Sequence, residues 1–159
     1  MIVYLSGGME YANNDGEKWR KELTIWLNEK LNHSVIDPVI ESKKLIIENN
    51  AKDFRDWKKN DPDRFIKFIR LAISKDLDAV VNKVDYIISL WDKSVLNGGG
   101  THGEITIAYH YNKPIYLINK LPITQLSGWI MSCATEIFDD FDTLKNRLNQ
   151  NFQNANNRS

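Results

Sequence analysis

Cysteine is all but absent from this 159-residue chain: Cys133 stands alone, so no intramolecular disulfide and no cysteine metal cluster can form. The three histidines, His33, His102 and His110, show no metal-ligand spacing. No metal and no cofactor is therefore expected. Charge of either sign is not in excess, with 21 Lys+Arg against 21 Asp+Glu. That balance, with no basic block and no basic-aromatic repeat, argues against a polynucleotide or an anionic membrane as partner. Apolar runs of membrane-spanning length are missing, and a strand begins at residue 2 with no room for a signal peptide. A soluble, cytoplasmic protein is the expectation. Hydrophobic residues make up 42% of the chain, enough for one ordinary core. Residues 1–149 are expected to form a single domain. The Asn- and Gln-rich residues 150–159 have little to bury and are expected to be a disordered polar tail.

What the chain does have is a repeated strand-then-helix pattern. Ile2-Val3-Tyr4-Leu5-Ser6 reads as a short buried strand, with Ser6-Gly7-Gly8 a tight turn at its end. Asn13-Asn14-Asp15-Gly16 has strong turn chemistry and leads into a helix over 17–31. Trp19, Leu23, Trp26, Leu27 and Leu31 fall on one face of it, the core side. Val35-Ile36 form a second strand, ended by Asp37-Pro38. Residues 39–60 show no clear period; they read either as a lid or as helix whose phase is hidden. Asp61-Pro62 opens a helix, with Asp at the cap and Pro at the first position. A strand over 84–91, a glycine loop, a short helix from Thr101 and a strand over 114–118 follow. After Ser127-Gly128-Trp129-Ile130 comes an irregular segment, and 138–148 closes the domain as a helix. At least four strands alternating with helices predict an α/β fold, an open parallel sheet sandwiched by helices.

In such a sheet, ligands sit beyond the C-terminal ends of the strands. That edge collects Ser6-Gly7-Gly8, Asp92 and the Gly98-Gly99-Gly100 loop. Glu104 falls in the first turn of the helix behind the glycines. It reads either as a functional carboxylate facing the loop or as the last member of a Thr101-His102-Gly103-Glu104 capping box. Asp76 also has two readings. In one continuous helix it lies within the apolar stripe of Phe65, Ile69, Ala72, Ile73 and Val80, where an unpartnered carboxylate is costly. If the helix breaks at Ser74-Lys75, Asp76 caps a second one. Converging carboxylates without a Ser-His or Cys-His pair suit glycosidic chemistry, one attacking the anomeric carbon and another managing the leaving group's proton. Tyr4, Tyr11, Trp57 and Trp91 are candidates to flank a planar base.

Three stretches carry a resemblance. Tyr4-Leu5-Ser6-Gly7-Gly8-Met9, Asp76-Leu77-x-x-Val80, and Gly100-Thr101-x-x-Glu104-x-x-x-Ala108 with Lys113-Pro114-Ile115 resemble the nucleoside 2-deoxyribosyltransferase family. Leu126-Ser127-Gly128-Trp129-Ile130 and Thr135-Glu136-Ile137-Phe138 add a likeness to its phage and bacterial members. The resemblance implies a flavodoxin-like sheet and Glu104 as nucleophile. It implies Asp76 for positioning and proton transfer, and Tyr4 beside the nucleophile. Gly7, Gly8, Asp92, Gly100 and Thr101 are candidate substrate contacts. It also implies nucleoside and nucleobase substrates and a homo-oligomer with shared sites, Ser127 being the candidate that reaches a neighbour's site. The related deoxynucleoside 5′-monophosphate glycosidases resemble the chain at Tyr4, Asp76 and Glu104 too. Their phosphate-binding positions fall here on Gly8, Glu10 and Gly98, so a nucleoside is favoured over a nucleotide. A sensor domain that binds a nucleotide without turning it over is the alternative of another class.

Overall fold

The computed structural model describes residues 1–156. Five strands, β1 (Ile2–Gly7), β2 (Ser34–Ile36), β3 (Tyr86–Trp91), β4 (Ile115–Asn119) and β5 (Glu136–Phe138), form one sheet in the order β2-β1-β3-β4-β5. All neighbours pair in parallel. This is the flavodoxin-like order, with its switch point between β1 and β3. β5 is the strand not foreseen, because Glu136-Ile137-Phe138 is too short to show alternation.

A strand covered on both faces needs apolar side chains on both, which is why β1, β3 and β4 read as near-continuous hydrophobic runs. Val3 and Leu5 point to one face, under α1 (Glu17–Leu31) and α7 (Phe141–Asn156), with Leu23, Leu27, Leu144 and Leu148. Tyr4, Ile87 and Leu117 point to the other, under α5 (Gly100–His110) and α6 (Gly128–Cys133), with Ile105 and Ile130. The segment after Ile130, expected to be irregular, thus begins inside a short helix that runs to Cys133.

The illegible 39–60 stretch is helical. α2 (Pro38–Glu48) is capped by Asp37, whose side chain accepts from the Val39 amide, and α3 is Phe54–Asn60. Asp37-Pro38 is the same start signal as Asp61-Pro62. Helices of 11 and 7 residues, parted by Asn50 at φ 50°, are too short to display a joint period. α4 (Pro62–Asp78) runs unbroken past Ser74-Lys75 and ends in a wider turn, Ala79–Lys83. The second reading of Asp76, as the cap of a new helix, therefore falls. Leu45, Ala51, Trp57 and Phe68 join α2, α3 and α4 in a satellite core beside the sheet.

Residues 150–156, assigned to the expected polar tail, are helical. α7 continues through Asn156, and the Phe152 ring stacks on Tyr86 at 5.5 Å and meets His33 edge-on at 5.0 Å. Phe152 follows Leu144 and Leu148 at four-residue spacing, so it extends the buried stripe. Residues 157–159, the rest of the expected tail, lie outside the described residues. Among the described residues no helix is long and apolar enough to cross a membrane.

Candidate functional site

Tyr4 and Ser6 lie two residues apart on β1 and face the same side of the sheet. α5 crosses above them and presents Glu104. The Tyr4 hydroxyl donates to Glu104 Oε1 at 2.9 Å, and the Ser6 hydroxyl donates to Oε2 at 2.5 Å. Only 8% of Glu104 is exposed. α5 begins at Gly100 with Gly99 as its cap and no side-chain capping bond. Glu104 therefore sits just past the first turn, and its carboxylate points to β1 rather than back to an orphan amide. The capping-box reading falls, and the helix dipole is a smaller influence than a first-turn position implies.

Glu104 and Asp76 line one cavity of about 190 Å³, together with Gly7, Gly8, Gly100 and Thr101. Met9, Glu10, Tyr11 and Asp76 also border a larger chamber of about 380 Å³ between α2, α3 and α4. That chamber is walled by Leu45, Phe54, Phe68 and Ile69. The unphased insertion thus builds the second half of the crevice. A Cβ at Gly98, Gly99 or Gly100 would meet open space, so nothing among the described residues demands glycine there. Bare backbone instead borders the cavity. Gly8 is different: a Cβ there would lie 2.0 Å from the Ser94 hydroxyl oxygen, so this wall closes only around glycine.

Burial raises all three ionisable groups. The Glu104 carboxyl is pushed up by loss of water and pulled back by the Ser6 and Tyr4 hydroxyls and by the Arg20 charge. Asp76 is pushed up to about 7, first by burial and then by Glu104. The phenol of Tyr4 is raised well above its ordinary 10.0 by burial and by both carboxylates. Glu104 thus has two hydroxyl donors and a nearby guanidinium, whereas Asp76 has fewer compensations. Loss of water favours the protonated form of both carboxyls, and the charge on Glu104 adds to that push on Asp76.

Arg20 went unnoticed in the sequence, where a helical arginine after Trp19 reads as solvated. It is fully buried. Its guanidinium donates to the backbone carbonyls of Leu5, Gly7, Asp15 and Gly16 at 2.8–3.2 Å. Asp37 lies 3.7 Å from Nε. Arg20 therefore ties the β1 end, the following turn and the α2 cap into one rigid wall. Ser6 was read as the end of a strand and its turn at the ligand edge, without a partner; no pattern in one sequence marks a hydroxyl aimed at a residue 98 positions away.

Asp92 does not reach the Glu104 cavity. Its Oδ1 accepts from the Ser94 amide at 2.8 Å and from the Ser94 hydroxyl at 2.5 Å, and it borders a separate groove with Lys18 and Lys93. Ser94, not Asp92, lines the cavity. Ser127 is exposed at the start of α6 and lines neither cavity nor chamber. Of the four aromatic candidates, Tyr11 borders both spaces, and Tyr4 reaches Glu104. Trp57 is buried in the satellite core, and Trp91 packs edge-on against His102 beneath α5. Glu10 is held at the rim by Lys58 at 3.0 Å.

Among solved structures, a 2-desoxiribosyltransferase from Leishmania mexicana shares this architecture, with a TM-score of 0.53 and 14% identity over 89% of this chain and 92% of that one. The Clostridium botulinum CMP N-glycosidase BcmB overlaps 94% of this chain and 99% of its own, at 20% identity and a TM-score of 0.49. No protein-family model and no curated protein matches the chain. The Leishmania likeness establishes the shared fold.

Proposed function

We propose that this protein cleaves the N-glycosidic bond of 2′-deoxynucleosides and passes the sugar to a second nucleobase, with Glu104 as nucleophile. One observation carries the reading: a buried, doubly hydrogen-bonded carboxylate shares a cavity with a second carboxyl pushed up to about 7. Two neighbouring carboxyls, one held by two hydroxyl donors and the other pushed up by burial, are the equipment for a nucleophile and a proton manager. Glu104 attacks C1′, the C1′–N bond breaks, and its electron pair leaves on the base nitrogen, which takes the Asp76 proton. The second base then attacks C1′ of the deoxyribosyl-Glu104 ester, gives a proton back to Asp76 and frees the carboxylate. Two inversions give net retention.

The sugar occupies the smaller cavity, beside Glu104 and the bare glycine backbone. Asp76 borders both spaces, so a base protonated by Asp76 extends into the α2–α4 chamber. The sheet order and the fold shared with a 2-desoxiribosyltransferase support N-glycosidic chemistry at this edge of the sheet. The test incubates the protein with a deoxynucleoside and a second base. A β-configured exchanged nucleoside, with parallel initial-rate lines, is the expected result. Free deoxyribose as sole product, unaffected by added base, makes the protein a hydrolase. Saturable binding with no release of base makes it a sensor.

A further inference from the structure

Beyond the two carboxyls and Tyr4, we infer that Ser6 is a positioning residue that, with Tyr4, clamps the Glu104 carboxylate across both oxygens and turns it toward the cavity. The inference rests on Glu104 being the reacting group. Tyr4 alone would leave the carboxylate free to rotate about its terminal torsion, which is broad and roughly two-fold. A second donor on the other oxygen stops that rotation. Ser6 is suited to this because it is fully buried, sits near the end of β1, a strand paired on both sides, and faces α5 as Tyr4 does. Its hydroxyl is the shorter of the two bonds to Glu104. Four lone-pair directions are available on a carboxylate, so two donors still leave a pair facing the substrate.

The clamp also has an electrostatic consequence. Glu104 is pushed toward its neutral form by burial, and the Ser6 hydrogen bond is the leading influence in the opposite direction, ahead of Tyr4 and Arg20. A neutral Glu104 cannot attack, so Ser6 extends the pH range of the nucleophile downward. Ser89 supplies an internal control. It is the register partner of Ser6 in β3 and equally buried, yet its hydroxyl has no partner among the described residues.

The experiment is a titration of protein carrying ¹³C-labelled glutamate, with the Glu104 carboxyl signal identified by its loss in Glu104→Gln. Ser6→Ala is expected to raise the Glu104 midpoint by about one pH unit, the equivalent of one hydrogen bond to a charged group. Ser6→Cys, which keeps the volume with a weak donor, should do the same; Ser6→Thr should restore the native midpoint. Ser89→Ala should leave it unmoved. In turnover, Ser6→Ala should be about tenfold slower at neutral pH, with its acid limb displaced upward by the same amount. An unmoved midpoint in Ser6→Ala and Ser6→Cys, or an equal displacement in Ser89→Ala, overturns the inference. The carboxyl titration needs no turnover, so it judges Ser6 even if glycosidic activity is absent and the proposed function falls.

Discussion

At the level of single residues, burial of charge sets the behaviour of the site. Asp76 illustrates the sign. The unfolded chain releases this proton near 3.8 and the folded one near 7. Between those values the folded state holds the extra proton, so stability falls as pH rises through that window. Asp76→Asn removes the penalty, and its melting temperature is expected to exceed that of the native protein at pH 8, with the gain vanishing near pH 4. The displacement bounds that gain at about 4 kcal/mol. The same variant should lose turnover and the alkaline fall in rate near pH 7; calorimetry and a pH-rate profile read both. Glu104→Gln is expected to keep fold and nucleoside binding and lose roughly three orders of magnitude in turnover. Near-native turnover in it would return Glu104 to a structural role. Arg20→Met strands four backbone carbonyls and leaves Asp37 without its cation. Urea unfolding is expected to register a loss of about 3–5 kcal/mol.

Among the elements, α3 determines what the crevice can hold. It is strapped to the turn after β1 by Arg55 to Asp15 at 2.7 Å and Lys58 to Glu10 at 3.0 Å. Exposed pairs of this kind add little to global stability; they set where the roof of the chamber lies. The chamber floor on α4 includes Ala72. Ala72→Phe places a ring in the space assigned to the base. It is expected to raise KM for purine deoxynucleosides about tenfold with kcat little changed, the signature of lost binding shared by ground and transition states. Steady-state kinetics with unchanged KM would put the base elsewhere.

For the whole molecule, an exposed aromatic surface on α5 and α6 bears on the number of chains in the active unit. Trp129 is 66% exposed on α6, its indole N–H donating to Thr106 of α5 at 3.0 Å, with Tyr109 and Met131 exposed on the same two helices. Ser127 begins this surface. A second copy packed here would cover the aromatic patch and bring Ser127 toward a neighbour. Sedimentation is expected to show a dimer or larger assembly that Trp129→Glu dissociates. A fully active native monomer at assay concentration would dismiss the idea.

The sequence by itself determined the alternation of strand and helix, the place of the ligand edge and the candidacy of Tyr4, Asp76 and Glu104. The first two follow from local signals, namely periodicity, Asp-Pro caps and glycines after a strand; the roles of the three side chains follow from the resemblance of their motifs to the nucleoside 2-deoxyribosyltransferase family. It could not phase α2 and α3, because 11- and 7-residue helices bury their apolar faces mainly against each other and α4, not in one stripe. Asp92 was misplaced because its neighbour Ser94 captures the carboxylate, a competition invisible until the turn is built. Only the tertiary structure decided that Glu104 meets Ser6 and Tyr4 across about 100 residues and that Arg20 is buried. Pairings at that separation come from stacking α5 on β1 and α1 beside it. The ionisation of the carboxyls depends on that stacking, because it sets how much water each one keeps.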